Sequence, residues 1–157
     1  MHEANTPDRP PRRFSDDENI LRLLRSSEAK ELLRFQAGDR EFKVVFVQGE
    51  KIDGTKDDND NDALSYGYAT LNTIVAVDCA DNRPYAVWEF YASADNERKL
   101  SKAIEVDVDH QNQGIGSNFW TSMRDAGYGI ERSGFQSAAG AAMLNRIDAS
   151  DAQADED

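Results

Sequence analysis

Ile104-Glu105-Val106-Asp107-Val108-Asp109-His110-Gln111-Asn112-Gln113-Gly114-Ile115-Gly116 is the stretch whose reading decides the fold. Ile104, Val106 and Val108 alternate with Glu105, Asp107 and Asp109, the period-2 pattern of a strand with one buried face. Ser117 to Ala126 then reads as a helix, because Phe119, Trp120 and Met123 fall on one side of it. Between the two lies a glycine loop. The first-turn N–H groups of a helix have no intrahelical acceptor, so a strand, a glycine loop and a helix start together predict an anion site that suits a phosphate. The 104–108 strand is expected inside a mixed sheet.

Neither of the common nucleotide loops is present: GxxxxGK(S/T) is absent, and GxGxxG fails at Phe119. Gln111, Gly114 and Gly116, following Val106 and Val108, instead resemble the (R/Q)-x-x-G-x-(G/A) pyrophosphate loop of the GNAT superfamily of acyl-CoA-dependent N-acyltransferases. Ile130 to Met143 is similar to the closing segment of compact, phage-type members, with a strand, a turn carrying Ser133 and Ser137, and a short last helix. The resemblance runs from Leu64 to Ile147. It implies an α/β (α+β) fold whose mixed, largely antiparallel sheet is flanked by helices.

The resemblance also implies a chemistry. Acetyl-CoA would be the co-substrate, with its pyrophosphate on Gln111, Asn112, Gln113, Gly114, Ile115 and Gly116. Backbone groups at Val106, Asp107 and Val108 would hold the pantetheine arm and polarise the thioester. Acyl transfer further needs the attacking amine in its neutral form. The candidate bases are Glu105, on the strand face opposite Ile104 and Val106, and Glu89, in an aromatic segment that would desolvate it. Both also read as ordinary sheet-face residues. Tyr128, the one tyrosine after the loop, is the candidate acid for the leaving thiolate, with core packing as its other reading. His110 is either a rim residue near phosphate or an exposed loop residue.

The 157 residues suit one domain, and no apolar run approaches the roughly 18 residues of a membrane span. Nothing at the start reads as a secretion signal, and the single Cys79 excludes an intrachain disulfide, so a cytoplasmic setting is expected. The net charge of −12 is concentrated in two places. One is the tail 148–157, with Asp148, Asp151, Asp155, Glu156 and Asp157, and the other is the segment 49–63. The rest is mildly acidic, which disfavours nucleic acid and favours a small-molecule or protein amine as acceptor.

Residues 1–14, with Pro7, Pro10 and Pro11, read as a disordered arm, 15–147 as the domain, and 148–157 as a disordered acidic tail. Ser15 with Glu18 forms a capping-box pattern. It predicts two short helices, one through Ile20 to Leu24 and one through Glu28 to Phe35, with Gly38 as the C-terminal cap. Phe42 to Gln48 predicts a strand, 49–63 a polar hairpin loop, Leu64 to Val77 a strand, and Tyr85 to Ser93 another. Asp58, Asp60 and Asp62 have the spacing that opens a calcium loop, but Ala63 and Ala69 replace its glycine and glutamate, so a solvated acidic loop is expected and no metal. Two function classes stand. One is an N-acyltransferase, with a DNA-base-modifying variant, and the other is a catalytically inactive GNAT-like interaction module.

Overall fold

The computed structural model describes residues 13–14, 16–55, 58–111 and 113–132. Six strands form one mixed, mostly antiparallel sheet in the order of the chain: β1 (Lys30–Ala37), β2 (Arg40–Lys51), β3 (Tyr68–Asp78), β4 (Pro84–Ser93), β5 (Lys99–Val106) and β6 (Ile130–Glu131). The first five make an antiparallel meander, and β6 returns parallel to β5. Helix α3 (Ile115–Asp125) covers one face, while α1 (Glu18–Leu24) and α2 (Asp58–Ser65) cover the other. The α+β class read from the sequence is therefore the observed one.

The α3 face carries the larger core. Ile115, Phe119, Trp120 and Met123 pack against Phe35, Phe42, Val44, Ile74, Ala86 and Trp88. Trp88 stacks on Trp120 at 4.7 Å and meets Phe119 edge-on at 5.4 Å. On the other face, Phe14 and Ile20 pack on Val45, Val47, Val75, Val77 and Val87. The strict alternation of β2 to β4 supplies both cores, because successive side chains leave a strand on opposite faces.

Several sequence expectations are corrected. Glu28 to Phe35 is not a helix: Lys30–Ala37 is a strand, joined to β2 by a tight turn with Ala37 opposite Arg40. Gly38 does adopt a left-handed conformation (φ 65°), but it closes a hairpin rather than a helix. The cap of α1 is Asp17, whose carboxylate accepts from Asn19 and Ile20 N–H, and Ser15 lies outside the described residues. The acidic segment is not a loop throughout, since Asp58–Ser65 is a helix and β3 begins only at Tyr68.

The central strand is displaced as well. It runs from Lys99 to Val106, and Val108 belongs to a 3₁₀ turn, Val108–His110, with Asp107 as its cap. In strand order β5 is interior. Its pairing to β6, however, is at Lys99 and Leu100, so among the described residues 101–106 pair with β4 alone. Opposite β4, Ala103 faces Glu89 and Ser101 faces Phe90, which makes Lys102 an extra, bulged residue.

Candidate functional site

The strand, glycine loop and helix start in which the sequence predicts an anion site lie at the C-terminal end of β5. After Val106 the chain turns through Val108–His110 and Gln111, reaches Gly114 and enters α3. Gly114 is the N-cap of α3, held at φ 79°, a left-handed conformation that glycine adopts without the usual Cβ penalty. A Cβ there would also meet Asn118 Nδ2 at 3.2 Å. Among the described residues no side chain caps the helix start, so its first-turn N–H groups are not satisfied in the way Asp17 satisfies those of α1. The Gly114 carbonyl accepts from Asn118 N–H at 3.0 Å and from Asn118 Nδ2 at 2.7 Å, which fixes the first turn. Ile115 and Gly116 are buried, and Gln113 is exposed. Asn112 lies outside the described residues, as do Ser133 and Ser137.

On the strand side of the loop the groups are tightly engaged. Gln111 Nε2 donates to the Val106 carbonyl at 3.4 Å, and Asp107 N–H donates to the Tyr85 carbonyl at 2.7 Å. Asp107 is fully buried; its carboxylate accepts from the Phe14 and Asp109 N–H groups and lies in hydrogen-bond contact with His110 Nδ1. That carboxylate is a structural hub, and sequence reading, which assigned the residue by its backbone, did not single it out. The His110 ring lies 4.1 Å from the Tyr85 ring at a tilt of 38°, with about a fifth of its side chain exposed.

Tyr85 leads into a second polar group. Its hydroxyl donates to Asp81 and accepts from Arg40, which also donates to buried Asp78 at 2.8 Å. Burial, reinforced by the bond to Asp81, pushes the Tyr85 phenol above its ordinary range against the opposing pull of Arg40. An open cleft of about 510 Å³ borders this group, lined by Asp39, Arg40, Glu41, Asp78, Cys79 and Ala80. It shares no residue with the glycine loop.

Glu89 and Glu105 come together on one face. Glu105 pairs with Val87 and Glu89 with Ala103, so the two carboxylates are diagonal neighbours across β4 and β5. Val87 packs with α1, which places both on the α1 side of the sheet, whereas Ile104 and Val106 pack on the α3 side. Tyr128 does not join them. It is partly buried against the α3-side core just beyond the helix end, where its N–H donates to the Met123 carbonyl. Among the described residues no cluster of His, Cys, Asp or Glu is arranged to hold a metal ion.

A buried cluster that sequence reading missed sits at the bulge. Lys102 Nζ contacts Asp60 Oδ1 at 2.9 Å, and the Tyr91 hydroxyl donates to the same oxygen at 2.6 Å. The only available signal was the alternation of β5, in which Lys102 would have pointed to the same face as Ile104 had no residue been inserted. Among the described residues no helix is long and apolar enough to cross a membrane. Comparison with protein-family models, curated proteins and solved structures found no match.

Proposed function

We propose that this chain is a cytoplasmic, acyl-CoA-dependent N-acyltransferase that moves an acetyl group from acetyl-CoA to an amine. The observation that carries the reading is the passage from β5 through left-handed Gly114 into the uncapped start of α3, at the carboxyl end of a strand that has a parallel neighbour. Ligands of sheets with parallel strands gather at such ends, and helix N–H groups suit a pyrophosphate there. The β5 edge beyond Leu100, paired with β4 alone among the described residues, is the place for the pantetheine arm.

In the reaction the acceptor ammonium first gives a proton to a base, and the neutral nitrogen attacks the thioester carbonyl. The C–N bond forms, the C–S bond breaks, and the second nitrogen proton goes to the departing thiolate. Glu105 on β5 and Glu89 on β4 are the candidate carboxylates for the first step. One placement favours a second reading, an acyl-CoA-binding module without turnover. Both glutamates lie on the sheet face away from α3, and the β5 residues on the α3 side, Ile104 and Val106, are apolar. The experiment is a thermal-shift titration with acetyl-CoA followed by thiol release on a panel of amines. Binding with release supports the enzyme, binding without release supports the module, and no binding rejects both.

A further inference from the structure

Asp107 gathers donors from two distant parts of the chain. Its Oδ2 accepts from the Phe14 N–H at 2.8 Å, and its Oδ1 accepts from the Asp109 N–H at 2.9 Å and lies 3.2 Å from His110 Nδ1. Beside it, Arg13 grips the exposed Asp109 with Nε at 2.8 Å and a second nitrogen at 3.4 Å. Phe14 is itself fully buried against Val45, Val75 and Val87. Residues 13–14 thus form a strap whose main chain is tied to the first residues of the turn that ends in Gly114. A fully buried carboxylate that loses a donor keeps its desolvation cost, so strap and turn cannot be released independently.

We propose that Asp107 is a positioning residue that locks the β5–α3 turn to the Arg13–Phe14 strap, and that ligand affinity at Gly114–Gly116 depends on this lock. The inference rests on the acyl-CoA reading for its ligand, and on the Asp107 geometry alone for the lock. The Asp107 carboxylate acts through the turn it is bonded to at Asp109 and His110.

The test uses amide hydrogen exchange and calorimetric titration with acetyl-CoA on the full chain, the Asp107→Asn variant and the milder Arg13→Gln variant. Asp107→Asn is expected to raise exchange at Phe14, Asp109 and His110 together, by about tenfold, while Val44 and Ile74 in the sheet centre stay protected. Acetyl-CoA affinity should fall in the same variant. Arg13→Gln removes an exposed contact only, so it should leave the melting temperature unchanged while raising exchange at Phe14 and Asp109 and weakening acetyl-CoA about two- to threefold. If Asp107→Asn does not fold, Arg13→Gln decides. Exchange that rises in the turn but not at Phe14, or affinity unchanged in a variant whose turn has loosened, overturns the proposal. A wild-type chain that ignores acetyl-CoA sinks the acyl-CoA reading instead, and the linked exchange still decides the lock.

Discussion

Lys102 and Asp60 form an ion pair at 2.9 Å with only about a tenth of each side chain exposed, and it joins the bulge of β5 to α2. The bulge creates this pair. Lys102 is the extra residue opposite Glu89 and Phe90, and the insertion lets it share the α2 face with Ala103 rather than pointing toward α3. Tyr91, fully buried, adds its hydroxyl to the same carboxylate oxygen and its ring below the ammonium at 5.7 Å.

Breaking that pair from one side should cost far more than removing it whole. Lys102→Met strands a buried carboxylate, and the expected loss is about 3–5 kcal/mol of stability in urea unfolding. The Lys102→Met, Asp60→Leu double variant should recover a large part of that loss. Single losses that simply add would show that the two groups do not act together.

The β1–β2 hairpin depends on Gly38. A Cβ at this position meets nothing within 4 Å, so the cost of Gly38→Ala is conformational rather than steric. At φ 65° that cost should be about 1–2 kcal/mol, read as a lower urea midpoint. Increased exchange should be confined first to Phe35, Ala37 and Arg40. An unchanged midpoint would argue against the left-handed turn.

This hairpin also shows where sequence reading stopped. Leu32, Leu33 and Phe35 fit a helix stripe as well as a strand, and the arbiter was not local. Phe35 stacks on Phe42 at 5.3 Å and on Phe119 at 5.7 Å, contacts that only the assembled sheet and α3 provide. Gly38 was legible as a left-handed residue, but not which element it closes. By contrast, Phe42 to Gln48 and Tyr85 to Ser93 were legible because segments rich in β-branched and aromatic residues leave little else to form. At the site, the order of strand, glycine loop and helix was readable between Ile104 and Ala126, but not the strand's start at Lys99. The strand's early end was not, because it follows from Asp107 turning inward to meet Phe14, 93 residues earlier in the chain.

Tyr85 makes a pH prediction. Its phenol is raised above the ordinary range by burial and by the bond to Asp81, so the folded protein holds that proton more tightly than the unfolded chain does. The resulting stability is complete below about pH 10, the ordinary phenol value, and is lost as pH rises through the higher folded value. In an alkaline ultraviolet titration, Tyr85→Phe should remove a late-ionising phenol and leave the earlier ones. Loss of an early step would place Tyr85 in a solvated setting.

Whether the β5–Gly114–α3 passage holds the pyrophosphate of an acyl-CoA is tested most directly by calorimetric titration of acetyl-CoA. The wild-type chain should bind at sub-millimolar concentration. Gly114→Ala and Gly116→Val should each weaken binding at least tenfold with unchanged circular dichroism, since one lost charge-assisted hydrogen bond of about 1.5–3 kcal/mol corresponds to about 10- to 150-fold. Gln111→Ala should do less, because its amide is neutral and one of its two N–H donors is directed at the Val106 carbonyl. Absence of binding to the wild type at millimolar ligand, or equal binding by wild type and both glycine variants, would contradict the account.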